Sequence, residues 1–385
     1  MMNGTAMCAQ EKEERMSSNA WAKSDPTPLP SVTRVPGILR HLAQLSEPLK
    51  SEGDPIVFIH IYARPEGEGP QSPLRFIRAG ESGPEGIACV DDAARAALLG
   101  LAAYEQLRVP AARSLAWGWL GFVAYMQDPD GRFTNFIVDR AGRKKRHGRT
   151  SYAGGQWWTS RALWALAAGW RVTGDSRYRE LFEQGKFAGT QDLKVVSVQA
   201  LALMECYAAE PTAALAQRIQ RLCDRVVASG SDYMRDRKGT SGLLPWGYHQ
   251  LQAVARAGRL FSRLDYLVAC ERTVTGAIEP LVSGRFTATT PWSQEPKCVY
   301  DVSSLMLGLE ELYHATGQEL YRELALACFD WLHEDNPVGC SLYNPRNGRC
   351  ADGVSEEEIS PNCGAESAIE AGFMELARRR LMKDR

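Results

Sequence analysis

Apolar residues recur every three to four positions along nearly the whole chain beyond residue 33, the spacing of a helix with one buried face. The pattern predicts twelve helices, over residues 33–50, 91–107, 110–127, 157–173, 176–187, 192–208, 211–229, 246–257, 262–279, 301–316, 318–334 and 364–381. A cluster of β-forming residues near Ile56–Tyr62 predicts a short strand pair. Residues 1–30 lack this periodicity and end in the Pro-rich PTPLP, so they read as a disordered arm before a single domain of residues 31–385.

One junction occurs twice. After an apolar helix, Thr173-Gly174 and Thr316-Gly317 place a glycine for a left-handed C-terminal turn, and Tyr178 or Tyr321 opens the next helix. Connections from even-numbered helices to the next odd one are short throughout: 109–110, 173–175, 209–211 and 316–318. Those from odd to even are mostly long: 51–90, 128–156, 230–245, 280–300 and 335–363, with only 188–191 short. Antiparallel helices alternating in this way predict an all-α toroid, an (α/α)6 ring of helical hairpins. Every long loop then falls at one end, beside the N-termini of the even helices, where long loops normally build a site.

Composition narrows the field. The 385 residues are 44% hydrophobic and 24% charged, with a formal net charge of -1, so nothing global points to nucleic acid or an anionic membrane as partner. The ten cysteines contain no CxxC pair, and several sit inside apolar helical runs, which fits reduced, packed thiols. Cys340, Cys350 and Cys363 beside His333 match no usual metal spacing, and neither a metal nor an organic cofactor is expected. The N-terminus carries acidic residues and no apolar h-region, and VVSVQALALMECYAA is too short and too polar to span a bilayer, so a cytoplasmic protein is expected.

Chemistry-bearing residues collect where the long loops do. Asp91-Asp92 opens helix two, Trp157-Trp158 helix four, Trp246-Gly247-Tyr248-His249 helix eight, Asp301 helix ten and Glu366 helix twelve, with Trp292 and Glu295 just ahead of helix ten. Aromatic faces stack on the apolar faces of sugars, and carboxylates supply the acid and base that cleave a glycosidic bond. Each acid also has a structural reading, as a helix cap or as a first-turn partner of the helix dipole. The basic run 140–149, Arg-Ala-Gly-Arg-Lys-Lys-Arg-His-Gly-Arg, reads as a solvated loop or as a clamp for an anionic group on a substrate.

The stretch CVDDAARAALLGLAAYE resembles the motif C-T-D-D-N-A-R-A-L of a bacterial helical domain often fused to, or encoded beside, GT-B glycosyltransferases. NGRCADGVSEEEISPNCGAES resembles that family's closing D-G and N-x-x-G-A-E-S signature, and FVAYMQDPDGRFTNFIVD and EPKCVYDVSSLMLGL fit its middle. Such domains resemble the six-hairpin glycosidase superfamily. The resemblance implies that Asp91, Asp92, Asp301 and Glu366 occupy acidic positions, with Arg95, Asp352 and Asn362 at other polar ones. Two departures stand out: the family's Asn after DD is Ala93, and its S-H-G-R helix opening has become Trp157-Trp158-Thr159-Ser160-Arg161, without the His.

These readings converge on a glycoside hydrolase acting on an oligosaccharide or glycan. Asp91 or Asp92 would be the general acid, and Asp301 or Glu366 would activate water. Arg95, Trp157, Trp158, Trp246, Tyr248, His249, Trp292, Glu295, Asp352 and Asn362 would hold the substrate. The superfamily resemblance implies inversion, with the two carboxyls about 6.5–9.5 Å apart. Two other readings stand beside it. A sugar epimerase or isomerase would use histidine chemistry at His249, His60 or His147. A glycan-binding partner of a glycosyltransferase would perform no chemistry.

Overall fold

The computed structural model describes residues 30–50, 55–67, 72–79, 85–355 and 357–383, so all but Pro30 of the expected N-terminal arm lies outside the described residues. Twelve helices follow in chain order: α1 (Gly37–Leu45), α2 (Val90–Leu107), α3 (Pro110–Met126), α4 (Gln156–Thr173), α5 (Ser176–Gln184), α6 (Leu193–Ala209), α7 (Ala213–Val227), α8 (Gln250–Phe261), α9, α10 (Val299–Thr316), α11 (Glu319–Asp330) and α12 (Ala365–Lys383). Helix α9 begins as Leu264–Thr273, widens through a π turn at Val274–Ile278, and ends as Glu279–Ser283.

The even helices form an inner ring in which α2, α4, α6, α8 and α10 each touch the next, and α12 packs back on α2. Each odd helix backs onto its even partner from outside, giving the (α/α)6 toroid. Burial follows the same division. Ala93, Ala94, Ala96 and Ala97 of α2 are all wholly buried, and their small side chains let neighbouring helices approach from several sides. Outer helix α5, by contrast, buries only Tyr178, and α7 only Ile219, Cys223 and Val226. No helix of the described residues is long and apolar enough to cross a membrane.

The two ends of the ring are built differently. At the end bearing the C-termini of the inner helices, Gly174 and Gly317 take the left-handed turn that the Thr-Gly pairs predict, with φ of 70° and 69°. Arg108 and Ser262 adopt the same conformation at the ends of α2 and α8, with φ of 57° and 54°, a backbone that only tertiary packing imposes on such residues. At the opposite end the long loops are tied together by four two-stranded antiparallel ladders. These pair Ser46–Leu49 (β1) with Ile56–Ile59 (β2), and Tyr62–Pro65 (β3) with Leu74–Ile77 (β4). The others pair Ala88–Cys89 (β5) with Phe136–Ile137 (β6), and Tyr343–Asn344 (β7) with Arg349–Cys350 (β8).

Among the element boundaries that differ from expectation, two trace to a proline. The first helix stops at Leu45 and becomes β1, because Pro48 lacks a backbone donor and biases the residue before it toward extended backbone. The eighth starts at Gln250 rather than 246, because Pro245 and Gly247 (φ 67°) make the preceding segment a turn.

A chain of ion pairs stitches the inner ring at its C-terminal end. Arg171 of α4 pairs with Glu105 of α2 (2.7 Å) and with Glu205 of α6. Arg256 of α8 reaches Glu205 (3.2 Å) and Glu311 of α10 (2.6 Å), and Arg259 also holds Glu311 (3.0 Å). Arg380 of α12 takes Glu310 of α10 (2.7 Å) and donates to Gln106 of α2 (3.1 Å), which completes the circuit. Burial alone would raise the carboxyls of Glu310 and Glu311, but His314 and Arg380 on the former, and Arg256 and Arg259 on the latter, outweigh it and hold both below their usual range. A lowered native pKa gives stability that is complete above the unfolded value of 4.5 and is lost as pH falls through the native one. Thermal melts should therefore show midpoints dropping below about pH 4.5. The Glu311→Gln variant should lose roughly 1–3 kcal/mol at pH 7 and show a smaller drop in acid. Equal acid sensitivity in wild type and variant would show that Glu311 is not part of the cause.

Candidate functional site

The mouth of the ring, at the N-termini of the inner helices, encloses a cavity of about 890 Å³. Asp91, Asp92 and Arg95 of α2 reach it, as do Trp157, Trp158 and Arg161 of α4 and Glu366 of α12. Loops add Trp246, Asp352 and Asn362, together with Tyr62, Arg78 and the Glu85–Thr150 pair. Nine of the sequence-predicted site residues thus meet at one cavity although they come from five separate segments.

Arg95 is the hub. Its Nη2 donates to Asp92 Oδ1 (2.7 Å), Glu366 Oε2 (2.9 Å) and Asp91 Oδ2 (3.4 Å), while Nη1 donates to Glu370 Oε1 (3.0 Å). Glu370 also accepts a 2.6 Å hydrogen bond from the Ser303 hydroxyl of α10. Asp91 is held from its other side by Arg161. That second guanidinium is stacked 4.9 Å from the Trp157 ring, 5.3 Å from Trp246 and 5.0 Å from Tyr300, and it donates to the Tyr300 hydroxyl (2.6 Å). Four carboxyls thus face two guanidiniums in a site largely withdrawn from water. Two negative charges would be left over if every carboxyl were ionised.

Protons relieve that excess. Burial, then the charges of Asp91 and Glu366, push the Asp92 carboxyl up to about 6 against the opposing pull of Arg95. Burial also raises Glu370. Asp352 is pushed up to about 7 by burial, with Glu366 and Asp92 adding to the effect and the hydrogen bond from the Gly364 amide opposing it. Its Oδ2 has no protein partner.

The remaining expected residues sit elsewhere. Asp301 Oδ2 accepts from the backbone amides of Lys297 (2.7 Å) and Cys298 (2.9 Å), so this carboxylate caps α10 and does not line the cavity. Tyr248 and Trp292 are core residues packed edge to face 5.4 Å apart. Their polar atoms are used on the carbonyls of Met234 and Ala277, because the turn at Pro245–Gly247 directs Tyr248 inward. Glu295 accepts from the Ala288 amide in its own loop (3.3 Å). His249 lies below the mouth, between Gln252 (2.9 Å) and the Tyr300 hydroxyl (2.8 Å), and burial drives its pKa down to about 3, with Arg161 adding to the effect. The basic loop turns much of its charge onto the protein: Arg140 pairs with Glu47, and Lys144 and Arg146 with Asp128.

Arg161, Tyr300 and Glu370 were not among the expected site residues. A signal for Arg161 and Glu370 exists in the sequence. Asp91/Arg95, Trp157/Arg161 and Glu366/Glu370 are each four residues apart at the start of an inner helix, so each pair shares one face.

The fold is shared with sugar-processing enzymes of known structure. A D-mannose isomerase superposes with a TM-score of 0.61 at 11% identity, over 84% of this chain and 91% of that one. The cellobiose 2-epimerase of Bacillus thermoamylovorans B4167 gives 0.60 at 12% identity, over 78% and 89%. The cellulase Cel9M of C. cellulolyticum gives 0.50 at 11% identity, over 76% and 84%. All are toroids of the six-hairpin kind, and at these identities the likeness is one of fold. No protein-family model matches the chain, and no curated protein matches it by sequence.

The raised carboxyl of Asp92 has a consequence for stability. A native pKa above the unfolded value of 3.8 makes the folded state hold its proton more tightly, so stability falls as pH rises from about 4 to about 6 and stays lower above that. Asp92→Asn removes the ionisation but leaves the shape. Its melting temperature should exceed that of wild type at pH 8, and the difference should vanish near pH 4. A variant less stable than wild type at pH 8 would mean that the Arg95 ion pair outweighs the cost of burying the charge.

Proposed function

We propose that the chain is a carbohydrate-active enzyme that hydrolyses a glycosidic bond by carboxyl acid–base chemistry at the mouth of the ring. The observation that carries this reading is the arrangement at the mouth: a carboxyl raised to about 7, Asp352, lines the same cavity as the Arg95-bound Glu366 and several aromatic rings. The cavity volume of about 890 Å³ falls within the roughly 300–1,000 Å³ of small-ligand sites. Trp157 and Trp246 offer ring surface to the apolar face of a sugar, whereas Trp158 is packed in the core with its indole nitrogen on the Phe133 carbonyl. The sugar-processing enzymes among the fold's neighbours support the same substrate class.

Geometry narrows the roles. Asp92 Oδ1 and Glu366 Oε2 both lie within 3 Å of a single nitrogen (2.7 and 2.9 Å), which holds them closer together than the roughly 6.5–9.5 Å of an inverting pair. Asp92 therefore serves to hold Arg95, and through it Glu366, in place. Asp352 donates the proton to the departing oxygen. Glu366, the most exposed carboxylate of the Arg95 cluster at 33%, activates water. Asp301, as a helix cap, takes no part.

The fold's isomerase and epimerase relatives favour a second reading, in which a histidine moves a proton on the sugar ring itself. Among the described residues the mouth is lined by no histidine, and His249 lies beneath it with both ring nitrogens engaged. This weighs toward hydrolysis.

A panel of glycosides and oligosaccharides, with products read by NMR, separates these readings. Hydrolysis should give a reducing sugar whose first-formed anomer is inverted, with activity declining as pH rises through about 7 as Asp352 loses its proton. Asp352→Asn and Glu366→Gln should each lower kcat by about 10²–10⁴ while substrate binding persists. Asp301→Asn should retain turnover and lose about 0.5–2 kcal/mol of stability. A product epimerised without cleavage would replace this reading with the second, and binding with no product from any substrate would reduce the chain to a glycan-binding partner.

A further inference from the structure

Beneath the mouth the ring holds a second chamber of about 340 Å³, framed by the ion-pair circuit at the C-terminal end of the inner helices. Arg95 and Arg161 line both spaces, so their guanidiniums form the partition between them. The mouth chemistry proposed above uses nothing else from this lower chamber.

Its chemistry differs from that of the mouth. Four arginines of the circuit (Arg171, Arg256, Arg259 and Arg380) face four glutamates (Glu105, Glu205, Glu310 and Glu311), and every arginine is paired. Glu370 also lines the chamber, and Arg95 and Arg161 in the partition are met by Asp91, Asp92 and Glu366 on the mouth side, so no arginine facing this space lacks a counter-charge to offer an anion. What the wall does present is alternating donors and acceptors in planar pairs, suited to a ligand whose groups do both. Between the polar edges stand apolar surfaces, Trp164 and Phe373 together with Leu98, Leu101 and Leu307. The indole Nε1 of Trp164 is buried and has no hydrogen-bond partner, a donor for which the protein supplies no acceptor.

We propose that this lower chamber is a second carbohydrate site, for a single neutral monosaccharide. The sugar's hydroxyls would bridge the Arg–Glu pairs, one of its oxygens would accept from Trp164 Nε1 at the indole edge, and its apolar face would lie on the Phe373 ring. The volume, near the lower limit of roughly 300 Å³ for small-ligand sites, admits one ring and not a chain. Entry is from the end opposite the mouth, where the side chains of Arg259 and Arg380 are 50% and 38% exposed. The site stands whether or not the mouth cleaves glycosides, because it shares no residue with the proposed acid and base.

Calorimetric titration with D-glucose, D-mannose and D-galactose tests it on the full chain. In a Trp246→Ala background, which removes a ring from the mouth, one equivalent of at least one sugar should still bind. Adding Trp164→Phe, which keeps the ring but removes the donor, should weaken that binding at least tenfold. Leu307→Phe, which fills the chamber, should abolish it, with melting temperatures confirming that each variant is folded. Inorganic phosphate should not compete. The proposal is overturned if no sugar binds in the Trp246→Ala background, if the remaining binding ignores both lower-chamber substitutions, or if phosphate displaces the sugar.

Discussion

A single guanidinium joins the first inner helix to the last. Arg95 of α2 binds Glu366 and Glu370 of α12, across more than 270 residues of sequence, and also binds Asp91 and Asp92 on its own helix. A toroid must bring its ends together, and here the joint is a charge buried in the ring wall. A buried cation is tolerated only when hydrogen-bonded counter-charges surround it, so the position of Arg95 requires the carboxylates around it. Three of those carboxylates, Asp91, Asp92 and Glu366, also line the mouth. Closure of the fold and the charge of the mouth are therefore served by the same atoms.

The helix ends sort the remaining charge. All six inner helices present their N-termini, with the positive ends of their dipoles, at the mouth, where Asp91, Asp92 and Glu366 gather. At the opposite end Arg171, Arg259 and Arg380 stand in the last turns of α4, α8 and α12, where the negative dipole ends favour them. The two ends nevertheless reach different states. The far end balances acid with base, and its Glu310 and Glu311 are held below their usual range. The mouth carries more acid than base, and burial resolves the surplus by raising Asp92 and Asp352 toward neutrality.

Much of this arrangement was legible in the sequence, because helical periodicity and alternating loop lengths are local signals. The helix count and the end at which Asp91, Asp92, Trp157, Trp246 and Glu366 assemble follow from them, while Asp352 comes only from the family resemblance. What escaped depends on tertiary direction. An aromatic residue just ahead of a helix points to rim or core according to the turn that precedes it: Trp246 reaches the cavity while Tyr248, two residues on, is wholly buried. Asp301 has the sequence context of a site acid, yet the two amides within its reach make it a cap. Arg161 and Glu370 lie in stretches whose apolar neighbours read as core. Only their four-residue spacing from Trp157 and Glu366 marks them as part of the cluster.

The unequal ends of the ring also determine where the chain can change. The left-handed turns at Arg108, Gly174, Ser262 and Gly317 are tight, and an added residue there would shift a helix against the ion-pair circuit beside it. The loops of the mouth are long already. Lengthening a loop further costs only about 0.6 kcal/mol per doubling, and two-stranded ladders anchor these loops near their bases. Insertions and deletions should therefore be tolerated better at the mouth than at the turns. Such a scaffold can acquire a new specificity by remodelling loops alone, inheriting its acids and its closure unchanged.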